Sequence, residues 1–472
     1  MRTTTWVAVV CALLVPIRVR AAERLCDTRY QNCRAPLMTL IANERQGIDV
    51  AFWFMQDQRY VTALIQRHQA GVPVRVLVDP RASLTKPGNQ KMLDQLRAAG
   101  IPMRMKAALT ASDILHWKMM LFAGQDVVQF GAANYTEYFF VPVIPYADYI
   151  DEAVFFTDHP SLTNSFRRKF EDLWTDTTGN VVDYANISSP PQRVYGLFPK
   201  DPSLNFPPRE DYAVRAVARY GLETAGIDVI MFRVADARHA DAMINAKARG
   251  VRVRLIIEQQ SYRDRKFLWH AYNVDRLIAA GIPVKQRKHD GLTHQKSVVL
   301  RGLREVIFGS SNWSPTAANV EQDHNLFTST TCQSGRWCDV GGWVFQWFAK
   351  QFDSKWAATA EFEPFVALPP DAPVYVGPAN GATGVSTAPA LRWQGGSWAH
   401  LYDVYLGTDP NNLPLVVRNA RIGSPDPNQL EVFRPATLAG STTYYWRVVS
   451  RTMAKLSRSG QTWRFTTGPR VP

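Results

Sequence analysis

The sequence predicts an α/β fold: two homologous α/β/α halves packed as one body, followed by a small all-β sandwich. Three observations carry that expectation: the chain repeats itself, each copy alternates strand-like and helix-like segments, and the composition changes near Pro369. In the repeat, GIDVAFWFM at 47 matches GIDVIMFRV at 226, GVPVRVLVD at 71 matches GVRVRLIIE at 250, and AAGIP at 98 matches AAGIP at 279. These matches are offset by 179 to 181 residues, and a fourth, HWKMMLFAGQDVVQFGAANYT at 116 against HQKSVVLRGLREVIFGSSNWSP at 294, is offset by 178.

Taken in order, the first 21 residues have a basic start, an apolar run from Trp6 to Ile17, and Val19 and Ala21 where an Ala-x-Ala-like cleavage site places small residues. They read as a secretory signal peptide, because the run is shorter than the roughly 20 residues that span a bilayer. The protein is therefore expected to be secreted or periplasmic. The first half is expected over 22–188 and the second over 189–360. In each, β-branched runs such as VPVRVLVD and VRVRLIIE read as buried strands, while RYVTALIQRHQAG and RHADAMINAKARG have helical periodicity and close on Gly. A Pro-, Gly- and Ala-rich linker is expected over 361–373. The segment 374–468 then alternates aromatic and β-branched residues between turns, as in ALRWQGG, HLYDVYLGT and TTYYWRVVS. It resembles a bacterial fibronectin type III module, a small β-sandwich used as a spacer or a binding appendage.

A chain of 472 residues with 46% hydrophobic content has room for large buried cores, at roughly 150 residues per domain. Cys11 falls in the leader, and the other four cysteines form two local pairs, Cys26 with Cys33 and Cys332 with Cys338. Two small disulfide loops are the simplest reading for an exported chain, and four reduced thiols the alternative. The spacings do not suit zinc. The formal charge is +13, and removing Arg2, Arg18 and Arg20 with the leader leaves +10, half of it after Pro370. Such a balance suits an anionic partner without choosing among nucleic acid, lipid surface and cell-wall polymer.

Strand periodicity places His116 with Lys118, and His294 with Lys296, on one face each. A hairpin of the following sixteen residues returns Asn134 and Asn312 towards them. Imidazole serves as both nucleophile and acid near neutral pH, and two ammonium groups with two amides stabilise charge on phosphoryl oxygens. A single His-x-Lys occurs by chance on strands, whereas two with matched G-A/S-A/S-N segments at the repeat offset point to a shared site. On these motifs the chain resembles the phospholipase D superfamily over roughly residues 38 to 355. The halves are then expected to be phospholipase D-like, with the two motifs meeting at their interface as one phosphodiesterase centre.

The resemblance implies that one histidine attacks phosphorus to give a phosphohistidine, while the other protonates the leaving alcohol and then activates water. It implies His116 as nucleophile and His294 as general acid and base, with the reverse assignment open. It also implies Glu152 and Asp323 as the carboxylates that hold the histidines. No cofactor or metal is expected. The family's signature Asp is replaced by Ala123 and Arg301, and the nearest acids are Asp126 and Glu305. The two motifs lie in one chain, so a monomer suffices for a complete site. Eighteen residues separate Asn134 from Glu152, against eleven from Asn312 to Asp323, and the excess falls in the aromatic stretch YTEYFFVPVIPYADY. That loop favours a phospholipid or membrane surface as partner. A secreted nuclease is the alternative, with the same aromatics stacking bases, and a phosphate- or surface-binding protein without catalysis is the third reading.

Overall fold

The computed structural model describes residues 23–470 except 108–109, 143–148, 188–199, 265–267, 289, 396 and 422–429. The expected signal peptide lies outside the described residues. The first half contains β1 (Arg24–Asp27), α1 (Arg34–Asn43), β2 (Ile48–Phe52), α2 (Gln58–Gln69), β3 (Val74–Val78), α3 (Pro87–Ala98), β4 (Met103–Lys106), β5 (Lys118–Phe122), β6 (Val127–Gly131), β7 (Ala153–Thr157), α4 (Pro160–Trp174) and β8 (Val181–Ala185). The second contains β9 (Leu204–Asn205), α5 (Tyr212–Leu222), β10 (Gly226–Met231), α6 (Ala237–Ala248), β11 (Arg252–Ile257), α7 (Leu268–Ala279), β12 (Val284–Arg287), β13 (Lys296–Leu300), β14 (Glu305–Gly309), α8 (Pro315–Asn319), β15 (Asn325–Phe327), α9 (Trp343–Ala357) and β16 (Phe362–Pro364).

The repeat in sequence is a repeat in structure. Asp57 caps α2 by accepting the Arg59 N–H, and Asp236 caps α6 by accepting that of Arg238. Gly71 and Gly250 follow the two helices at φ +84° and +89°, where a side chain would be strained. Each half builds an eight-stranded mixed sheet, in the orders β1-β7-β6-β5-β2-β3-β4-β8 and β16-β12-β11-β10-β13-β14-β15-β9. The runs β2-β3-β4 and β10-β11-β12 are parallel, and β5 and β13 pair antiparallel to β2 and β10. Strands β2, β3, β5, β6 and β7 are buried throughout, which is why they read as continuous apolar runs.

The halves meet through α4 and α9. A single apolar core takes Phe130, Phe155 and Phe166 from the first half with Val306, Phe308 and Phe348 from the second, and Phe130 stacks on Phe308 at 6.0 Å. The interval expected as linker is partly structured. Phe362–Pro364 pairs antiparallel with β12 at the sheet edge, and the Arg263 guanidinium donates to the carbonyls of Leu368 and Pro369. Pro and Ala dominate that stretch, but Phe362 is fully buried against Phe352 and Ile256, and this anchors it.

Beyond it the chain is all-β: a three-stranded and a six-stranded sheet share a core of Leu391, Trp393, Val404, Trp446, Val448 and Phe465. This region docks on the second half, where Trp398 packs into the core around α6 and α7 and the His400 ring meets Tyr272 at 5.2 Å. Both cysteine pairs are disulfides, Cys26–Cys33 and Cys332–Cys338. Among the described residues no helix is long and apolar enough to cross a membrane.

Candidate active site

The strands begin at Lys118 and Lys296, so the histidines sit just outside them. The histidine-bearing segments instead pair with the opposite half. Leu115 bridges Gln322, and Thr293 bridges Asp151. The His116 N–H donates to the Gln322 carbonyl at 2.9 Å, and the Gln295 N–H donates to that of Asp151 at 2.8 Å. This exchange brings each imidazole to a carboxylate of the other half. His116 Nδ1 lies 2.9 Å from Asp323 Oδ1, and His294 Nδ1 lies 2.5 Å from Glu152 Oε1. With Nδ1 engaged, Nε2 of each ring is the nitrogen left for chemistry.

The lysines are held alike: Lys118 Nζ donates to the His116 carbonyl at 2.6 Å, and Lys296 Nζ to that of His294 at 2.7 Å. The hairpins β5–β6 and β13–β14 return Asn134 and Asn312, whose side-chain oxygens are buried with no hydrogen-bond partner among the described residues. An oxygen left in that state can accept from a ligand or solvent donor, and only the Nδ2 of each amide can donate to an anion. All eight residues expected at the site are buried, and the two motifs converge on one place.

Burial dominates the electrostatics. It pushes both imidazoles well below the ordinary histidine range, with Lys118 and Lys296 adding to the effect. It lowers Lys118 and brings Lys296 down to about 8. The same burial raises Asp323 to about 6 and Glu152 to about 8, against the lysines' opposing pull. A phosphodiester anion among these donors would favour the charged lysines.

Sequence reasoning missed several neighbours. Glu321 approaches His116 Nδ1 to 3.8 Å, and Arg233 is an electrostatic neighbour of both histidines. Trp53 and Phe232, which occupy matching places in the repeat, lie edge-on to His116 at 6.5 Å and tilted to His294 at 4.7 Å. His116, Glu321 and Asp323 bring ligand-type atoms within 4.8 Å of one another. Within the trio Asp323 engages His116 Nδ1 at 2.9 Å, and Glu321 stands at 3.8 Å from the same nitrogen. A cavity of about 520 Å³ lies elsewhere, lined by Arg215, Arg219, Glu305 and Arg336, and contains none of this chemistry.

The positions of the missing signature Asp have their own explanation. The Glu44 carboxylate accepts backbone N–H bonds from Arg45, Gln46, Gly47, Gly124 and Gln125, closing the turn after β5. Glu223 does the same for Thr224, Ala225, Gly226, Gly302 and Leu303 after β13. Arg301 points away and pairs with Asp228 at 2.6 Å. Asp126 and Glu305 are engaged by Arg167 and Arg219 and do not reach the site. Glu44 and Glu223 stand three residues before the matched Gly47 and Gly226, a signal that a longer alignment of the two copies contains.

The family model described as cardiolipin synthase, PLD-like domain, matches residues 37–174 and 224–356, one stretch in each half. The chain belongs to this PLD-like family. Mitochondrial cardiolipin hydrolase of Danio rerio is 26% identical over 138 residues, covering 29% of this chain and 55% of that protein. Its counterpart from Chlamydomonas reinhardtii is 26% identical over 104 residues, covering 22% and 44%. The chain thus spans about half the length of these relatives. The crystal structure of phosphatidylserine synthase from Haemophilus influenzae superposes with a TM-score of 0.56 over 73% of this chain and 87% of that one. At 13% identity that likeness concerns the fold. Membership in the PLD-like family agrees with a phosphodiesterase centre shared by two motif-bearing halves.

Proposed function

We propose that the protein is an exported, metal-independent phosphodiesterase that hydrolyses phospholipid head groups to phosphatidate through a phosphohistidine. The observation that carries this reading is the crossed pairing of His116 with Asp323 and of His294 with Glu152, with both lysines beside it. One imidazole Nε2 forms an N–P bond as the P–O bond to the head group breaks, and the departing alkoxide takes a proton from the other imidazole. Water then gives its proton to that second imidazole and attacks phosphorus, and the P–N bond breaks. Lys118, Lys296, Asn134 and Asn312 take the charge on the non-bridging oxygens.

A lipid substrate is supported by the similarity to mitochondrial cardiolipin hydrolases and by the aromatic loop after Asn134. Tyr138 there is 48% exposed while Phe139 and Phe140 are buried; positions 143–148 of the loop lie outside the described residues. The two disulfides support export to an oxidising compartment. The C-terminal all-β region is read as a fibronectin type III-like spacer. The deciding experiment offers the purified protein phosphatidylcholine and phosphatidylethanolamine vesicles, or labelled single- and double-stranded DNA, in EDTA, with His116→Ala as control. Head-group release that the variant lacks supports the proposal. DNA cleavage with intact lipid would replace it with a nuclease, which the basic balance of the chain fits equally well.

A further inference from the structure

The crossed pairs look symmetric, but the charges behind them are not. Glu321 stands two residues before Asp323; two residues before Glu152 stands Ile150. The matching backbone bridges at Gln322 and Asp151 make these positions equivalent in space as well as in sequence. Glu321 is 8% exposed, and Thr316 Oγ1 donates to its Oε1 at 2.5 Å, which leaves Oε2 turned to His116 Nδ1. His116 therefore has two carboxylates at its Nδ1 edge. Among the described residues His294 has one, with Lys296 Nζ 3.3 Å from the same Nδ1 and the rings of Phe139 at 4.8 Å and Phe232 at 4.7 Å beside it.

We propose that Glu321 is a positioning residue that makes His116 the proton donor to the departing alcohol and leaves His294 as the nucleophile. This rests on the phosphodiesterase reading and reverses the roles that family resemblance implies. In the first step His294 Nε2 forms the bond to phosphorus, the head-group oxygen leaves, and it takes the proton from His116 Nε2. In the second, His116 accepts a proton from water as the oxygen attacks phosphorus and frees His294.

The surrounding charges agree. Lys118, Lys296 and Arg233 disfavour a proton on either ring, and Glu321 favours one on His116. His294 leans on Glu152, which burial raises to about 8, so near neutral pH that partner tends to hold a proton of its own and supports an imidazolium poorly. Asp323, raised only to about 6, remains a carboxylate there, and burial raises Glu321 as well, against the opposing pull of His116, Thr316 and Arg233.

The test uses two phosphatidyl esters, one of ethanolamine, whose alkoxide needs a proton to leave, and one of p-nitrophenol, whose phenolate does not. Glu321→Gln should slow ethanolamine release about tenfold and move the basic limb of its pH profile down by about one unit, while the nitrophenolate burst stays within about twofold. A purely structural role would slow both leaving groups alike, and that result would overturn the proposal. In His116→Ala a stoichiometric nitrophenolate burst should survive, with the phosphatidyl label trapped on His294, whereas His294→Ala should give neither. A burst surviving in His294→Ala with label on His116 would also overturn it. Failure of the wild-type protein to release either alcohol would instead remove the phosphodiesterase reading, and this assignment with it.

Discussion

Replacing Glu223 with Ala tests what closes the turn after β13. Its carboxylate accepts five backbone N–H groups at 2.6–3.1 Å, from residues on both sides of the junction between β10 and the β13–β14 hairpin. The Gly226 bond is buried; the others are near enough to solvent for water to replace them in part. A buried donor left unpaired costs about 1–3 kcal/mol, and partial losses at the rest bring the expected destabilisation to about 3 kcal/mol. Burial alone would raise the Glu223 carboxyl, but the N–H groups of Leu303, Ala225, Gly226 and Gly302 outweigh it and hold the group below the usual range. A depressed folded-state value means stability that is present above the unfolded value and lost as pH falls through the folded one. The gap between wild type and variant, read from urea unfolding by tryptophan fluorescence, should therefore be full at pH 7 and shrink below about pH 4.5. A gap under about 1 kcal/mol at pH 7 would refute the idea that this carboxylate closes the turn.

Asn134→Ala and Asn312→Ala should each lower turnover about 10²- to 10³-fold while leaving the melting temperature unchanged, because each removes an amide to which the proposed mechanism assigns phosphoryl charge; steady-state kinetics beside thermal unfolding checks both. Glu152 is raised to about 8 in the fold, so wild-type stability should fall as pH rises from about 4.5 to 8, and Glu152→Gln should lose activity while gaining about 2 kcal/mol at pH 8. Parallel pH–stability curves for the two proteins would count against that. Lys355, fully buried on α9, pairs with Asp151 at 3.2 Å directly behind Glu152. Lys355→Met should cost about 3–5 kcal/mol, and adding Asp151→Asn should recover much of it, as measured by denaturant unfolding.

The architecture of each half was legible because buried strands and amphipathic helices leave local patterns, and because the same pattern occurs twice. The two motifs that the structure brings together were legible for the same reason. The crossing of the pairs was not, since His116 meets Asp323 only through the packing of one half on the other. Glu44 and Glu223 escaped notice because their partners across the turn lie 79 to 81 residues away in sequence. Glu321 and Arg233 have no like residue in the other copy, where Ile150 and Phe54 stand, so a search for symmetry passes over them.

Those unmatched residues are where a duplicated site gains direction. Two identical halves would present phosphorus with two equivalent histidines, and either could attack. In-line displacement needs inequality, with one ring neutral at the start and the other carrying the proton that the leaving oxygen takes. The carboxylate exchange supplies the equal part, because each half orients the other's imidazole and neither half alone holds a supported histidine. The Phe130–Phe308 contact and the apolar core around it fix that exchange in place. The unequal part comes from one carboxylate, Glu321, contributed by the second half, while Arg233 beside it acts on both rings alike. Because Glu321 stands where the first half has an apolar residue, acquiring it leaves the shared scaffold intact and biases only the proton.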